Sequence, residues 1–240
     1  MSQLFFRKES LEFRFCYLIT ILVILGFTDS FIGFVLIGPN RHSIHIVVHS
    51  FLMFGWLGLV LIQSHSISRG RKILHKRLGF FSIFFVSVLI VPYGVRATYE
   101  MWKFFSTNYP SNGLEIAKFV FNPILTLLGF TMSFYLGIIQ RKKADLHSSF
   151  IIAASLMLVS PGLERLPIYQ YNPFKWFGPS NFSNLVQTFM FLVFLGIKQN
   201  WKFPLSRRFW AFAFVVLVFL TRFGLQNNAT AVQFLLDKLQ

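Results

Sequence analysis

Six histidines stand at positions 42, 45, 49, 65, 75 and 147 of this 240-residue chain, all near the ends of apolar runs. His45 and His49 are four residues apart, one turn on a single helical face, a spacing that lets two imidazoles meet one metal ion. His75 and His147 share a different context. Gln63 precedes Arg71-Lys72-Ile73-Leu74-His75, and Gln140 precedes Arg141-Lys142-Lys143-Ala144-Asp145-Leu146-His147. In each case an apolar run ends near a glutamine, a basic turn follows, and Leu-His starts the next run. Two hairpins related in this way form a parallel internal repeat, which predicts His75 and His147 at similar depths, facing each other. Two imidazoles from different helices can ligate a haem iron axially or join a metal site. The candidate cofactor ligands are therefore His75, His147 and His49, and the candidate metal pair is His45 with His49.

His49, Trp56 and Gln63 follow one another at seven-residue intervals. Seven residues is nearly two helical turns, so the three form a slowly drifting stripe about 21 Å long. Lipid cannot satisfy polar groups on such a stripe, and it should face protein. Helix–helix packing and hydrogen bonding account for Trp56 and Gln63 in the ordinary way; with Arg165 they are the residues expected to line a polar cavity.

Both His75 and His147 open helices whose free N–H groups and positive dipole ends attract anions. Arg71, Lys76 and Arg77 lie beside the first of them, so the same place suits an anionic lipid headgroup or phosphate. On the opposite side Asp29, Arg41, His45, His49, Arg96, Glu100, Glu164 and Arg165 could approach one another. Converging histidines and carboxylates there would supply zinc ligands and a general base for intramembrane hydrolysis, although no local His-Glu-x-x-His motif supports that chemistry. The last apolar run offers no lysine for a retinal Schiff base.

The elements that must hold these residues are membrane helices. The chain is 55% hydrophobic, 19% aromatic and 13% charged, about half the charged share of a soluble domain, with a mean hydropathy of +0.59. Its 33 phenylalanines exclude intrinsic disorder. One cysteine excludes an internal disulfide, a four-thiolate iron–sulfur cluster and c-type haem attachment. A formal charge of +15 would suggest nucleic acid in a soluble protein. Here the basic residues sit in short stretches between apolar runs, and no nucleic-acid partner is expected. Measured against a hydrocarbon core of roughly 30 Å, the runs give an all-α bundle of seven transmembrane helices, at about 15–37, 44–63, 75–95, 116–139, 147–164, 182–197 and 208–225. The first carries Asp29 and no small-residue cleavage site, so it reads as a retained anchor. Lys and Arg collect around 7–14, 69–77, 141–143 and 198–208, which makes that side and the N-terminus cytoplasmic. The connections at about 97–115 and 166–181 then lie outside, rich in interfacial Tyr and Trp.

The run His49-x6-Trp56-x6-Gln63-x6-Gly70-Arg71-x3-His75-Lys76-Arg77-Leu78-Gly79 resembles the signature of an uncharacterised family of bacterial multi-pass membrane proteins. That family reads His-Gly, Phe-x-x-Trp, Gln, Gly-Arg and Leu-His-Arg-Arg-Leu-Gly at these spacings. Gly26-Phe27 with Ser30-Phe31 is similar to its first-helix motif, and His147 with Pro161 and Arg165 is similar to its later helix. Ser50, Ser148-Ser149 and Phe203-Pro204 depart from its Gly, Lys-Arg and His-Pro. The resemblance covers most of 25–165. It implies a bacterial inner-membrane protein and brings no activity with it.

Three functions fit these residues. One is a non-catalytic small-molecule- or lipid-binding, transport or accessory protein, touching membrane lipids and other membrane subunits. The second is a membrane redox protein holding b-type haem or a metal ion through His75, His147 and His49. The third is the metal-dependent hydrolase.

Overall fold

Ser10 opens the first helix by accepting the Phe13 amide on its hydroxyl, at 3.2 Å, a serine N-cap. The structure is a computed structural model that describes residues 10–37, 44–108, 113–163 and 179–198. Every element among them is helical: α1 (Leu11–Ile37), α2 (Ile44–Ser68), α3 (Lys72–Phe84), a π-helical turn (Phe85–Ile90), α4 (Val91–Asn108), α5 (Gly113–Ile139), α6 (Ala144–Leu156), α7 (Val159–Leu163) and α8 (Pro179–Lys198). Five described helical stretches are long and apolar enough to cross a membrane: Leu11–Thr28, Val47–Ser68, Lys72–Asn108, Asn122–Ile139 and Ala144–Leu163. A shorter apolar helix covers Asn184–Lys198. The expected seventh run, 208–225, lies outside the described residues.

Two tight turns build the hairpins. After α2, Gly70 takes a φ of 74°, a left-handed conformation that glycine adopts without a Cβ penalty. The Arg71 amide reaches back to the Ser66 carbonyl at 2.7 Å and the Gly70 amide to Ile67 at 2.9 Å, the paired bonds of a Schellman stop. After α5 the turn is closed by the Lys143 amide on the Gln140 carbonyl, at 2.8 Å. Arg71 and Lys143 are the N-cap residues of α3 and α6.

The α6–α7 stretch is the centre of the bundle: 78% of its membrane-length window is buried, against 22 to 28% for the other four. α1 packs on α2, α6 and α7, while α5 joins α4 to α6 and α8 closes against α6 and α7. The core collects Ile19, Trp56, Phe130, Phe134, Ile152, Ala153, Phe191 and Phe194. Where α1 meets α7, Gly26 lies directly on the Gly162 backbone, with no room for a Cβ. Small residues let membrane helices approach this closely.

Helix ends differ from the hydropathy boundaries in three places. The third span continues as helix through 96–108, a stretch read from the sequence as the start of an external connection. Arg96 and Glu100 pair at 2.6 Å one turn apart, and Thr98 and Asn108 bond back to carbonyls four residues earlier; hydropathy marks where apolar residues stop, and the helix does not stop there. The fifth run, read as one helix over 147–164, is interrupted at Met157–Leu158. Pro161 lacks an amide proton and its ring opposes the carbonyl four residues back, at Met157. Upstream of Pro92 the same conflict coincides with the π-turn, in which the Val91 amide bonds to Val86.

Candidate functional site

The inner face of α2 carries the polar stripe. Trp56 is 1% exposed and meets Phe130 and Phe134 of α5 edge-on, at 5.2 and 5.5 Å between ring centres. Its indole N–H has no hydrogen-bond partner. Ser133, between those two phenylalanines in sequence, is also fully buried with an unpartnered hydroxyl. Nearly two turns outward, His49 is half-buried against Gly94 of α4, whose missing side chain makes the space; a Cβ on Gly94 would stand 3.3 Å from the His49 ring. The His49 Nδ1 is buried and without a partner. Gln63, at the other end of the stripe, is half-buried, and its backbone carbonyl lies beside the His75 ring.

His75 and His147 come together. Their ring centres are 6.1 Å apart with planes at 83°. The reason is a shared position: the His75 amide bonds to the Arg71 carbonyl and the His147 amide to the Lys143 carbonyl, so each histidine is the fourth residue after its N-cap. The His147 Nδ1 lies 2.8 Å from the Gly137 carbonyl of α5. A carbonyl only accepts, so Nδ1 carries the proton and the neutral ring keeps its lone pair on Nε2. The His75 Nδ1 is buried and has no hydrogen-bond partner.

Arg71, Lys76 and Arg77 are all exposed at this same end. Arg71 and Arg77 line an open groove with Gly70, Lys72, Ile73 and Leu74. The basic residues named for an anion therefore border the paired histidines.

Of the cluster expected at the opposite end, His45, His49, Arg96 and Glu100 are described with their side chains. His45 tilts against Tyr93 at 6.3 Å, whereas His49, one turn along, faces Gly94. Arg96 and Glu100 pair with each other, and Arg96 also covers the Tyr99 ring at 5.3 Å. Among the described residues no three His, Cys, Asp or Glu side chains are grouped closely enough to hold a metal ion. Arg41, Glu164 and Arg165 lie outside the described residues, and of Asp29 only the helical backbone is described.

Two features have no counterpart in the sequence reading. Lys198, near the end of α8, bonds to Glu12 of α1 at 2.8 Å and to the Ser148 hydroxyl of α6, and lies 4.0 Å from Asp145. Its position among basic residues reads as orientation charge, yet the side chain ties three helices together. On α8, Gln187 is completely buried with neither amide atom partnered, beside the buried Asn184 one turn away. A polar residue every three to four positions in an apolar run was the available signal for that face.

Compared with protein-family models, curated proteins and solved structures, the chain matches none.

Proposed function

We propose that the chain is a multi-pass membrane protein that binds a small polar molecule or a lipid headgroup along the inner face of α2, as a carrier or accessory subunit, without catalysing a reaction on it. The observation that supports this is the set of buried polar atoms with no partner on or beside that stripe: His49 Nδ1, Trp56 Nε1 and Ser133 Oγ. Each such group costs about 1–3 kcal/mol when left unpaired, and in a bilayer no water relieves it. A chain that kept them only for packing would be more stable with apolar residues in their place. The fuller reading has seven spans, a cytoplasmic N-terminus, a bacterial inner-membrane location, and membrane lipids and other membrane subunits as partners, with no nucleic acid.

The test is native mass spectrometry of the detergent-purified protein, with unfolding midpoints for Ser133→Ala and Trp56→Phe. The proposal expects a copurifying small molecule or lipid whose retention falls at least fivefold in both variants, while the stripped variants unfold at or above the wild-type temperature. Equal retention in wild type and variants would overturn it. Reporter fusions at the two termini test the span count; two cytoplasmic termini would refute seven.

A further inference from the structure

His75 and His147 bring imidazoles from two helices to within 6.1 Å of each other, centre to centre, beside the exposed cations Arg71, Lys76 and Arg77. We infer that these two rings together hold one transition-metal centre that takes two imidazole nitrogens from the protein. The inference does not depend on what lies along α2.

Geometry comes first. A metal–imidazole bond is about 2.0 Å long, so two rings on opposite sides of one metal have centres a little more than about 6 Å apart; His75 and His147 stand at 6.1 Å. The 83° between the planes neither favours nor opposes this arrangement, because each ring turns freely about its own metal–nitrogen axis. The second condition is a bare ring nitrogen. The Gly137 carbonyl holds the proton of His147 on Nδ1, the outer-shell contact that orients metal-bound histidines and leaves Nε2 to ligate. His75 has a buried Nδ1 with nothing bonded to it.

Ligand count narrows the metal. Structural zinc takes four protein ligands and catalytic zinc three, and among the described residues no third His, Cys, Asp or Glu joins this pair. Two centres are complete with two imidazoles: monovalent copper in linear coordination, and haem iron, whose other four nitrogens come from the macrocycle. The groove lined by Arg71, Lys72 and Arg77 adds a distinction. Haem propionates would pair with those cations, whereas a bare copper ion gains nothing from them.

The experiment uses the full chain in detergent. Metal content is measured as purified, followed by titration with hemin, read by its Soret band, and with monovalent copper, read by competition with a chromogenic chelator. One equivalent of either centre is expected, with at least tenfold weaker binding in His75→Ala and in His147→Asn. The asparagine amide can still donate to Gly137, so His147→Asn keeps that contact while removing the ligand nitrogen; an unchanged unfolding midpoint of the metal-free protein verifies that it folds. His65→Ala, whose ring packs on Phe13, should bind as wild type. Arg71→Gln with Arg77→Gln should weaken hemin and leave copper unchanged, which separates the two sources. Failure of wild type to bind either at one equivalent, or equal binding by His75→Ala and His147→Asn, would overturn the inference.

Discussion

The α2–α3 and α5–α6 hairpins start from the same plan and treat their histidines differently. Each places a histidine four residues after a basic N-cap, with its ring turned to the backbone of the preceding helix. In the second hairpin α5 ends at Ile139, and the next amide that could reach Gly137, that of Arg141, bonds to Ile138 instead. The Gly137 carbonyl is one of the orphans left at any helix C-terminus, and His147 fills it. In the first hairpin α2 runs on to Ser68, so the Gln63 carbonyl is already engaged within its helix. His75 therefore stands beside a carbonyl that already has one partner, and its own Nδ1 makes no hydrogen bond. One ring is held and its neighbour is left adjustable. The difference follows from where the preceding helix stops.

Matched substitutions in the two hairpins can break or sharpen that contrast. The largest effect is expected where α1 clamps α7, which continues the second hairpin: Gly26→Val forces a side chain into the Gly162 backbone and should cost about 3 kcal/mol or more, or prevent folding. In the first hairpin Gly58 and Gly79 have open space where a Cβ would go, so Gly58→Ala or Gly79→Ala should leave stability unchanged or raise it by about 0.5–1 kcal/mol. Unfolding in detergent micelles measures both; equal losses would remove the contrast.

Next in size is Lys198→Met, which leaves Glu12 without its cation in a partly buried place and should cost about 1–3 kcal/mol. Its counterpart on α4, which continues the first hairpin, is Arg96→Ala; this removes a half-exposed pair and should cost about 0.3–0.5 kcal/mol, or nothing at high salt. The histidines come third. His147→Ala loses a buried bond and strands a carbonyl, about 1–2 kcal/mol; His75→Ala should cost less in the metal-free protein, and His147→Asn should recover most of the loss. If His75→Ala proved the more damaging of the two, the picture of one held and one adjustable ring would be wrong.

Much of this arrangement is legible in the residues. The seven-residue recurrence of His49, Trp56 and Gln63 is enough to place them on the protein-facing side of α2, because only protein can cover them there. The Leu-His echo brings two rings together because an N-cap fixes the register of the helical residues after it, although the Gln-to-His spacings differ. Lys198 illustrates what sequence conceals. Counting basic residues for topology assigns it a side of the membrane and says nothing of Glu12, 186 positions away along the chain. The break at Met157 was likewise implicit in Pro161 but hidden by hydropathy, which registers apolarity and not the loss of one hydrogen bond. Of the external cluster, Arg96 and Glu100 turn to each other: chemical suitability of side chains carries no information about which neighbours their helices will have.

The π-turn at Phe85–Ile90 sets an angular phase. The 19 residues from His75 to Gly94 would rotate an unbroken α-helix so that the two positions pointed about 100° apart. A π-turn absorbs one extra residue, and the remaining advance amounts to about five whole revolutions. Both positions consequently look toward α2, one end greeting Gln63 and the other making way for His49. Excising a single residue from that turn would leave eighteen residues and about the same five revolutions, so the healed helix would keep both positions facing α2; restoring α-helical bonding with all nineteen residues in place is what would swing Gly94 away from His49.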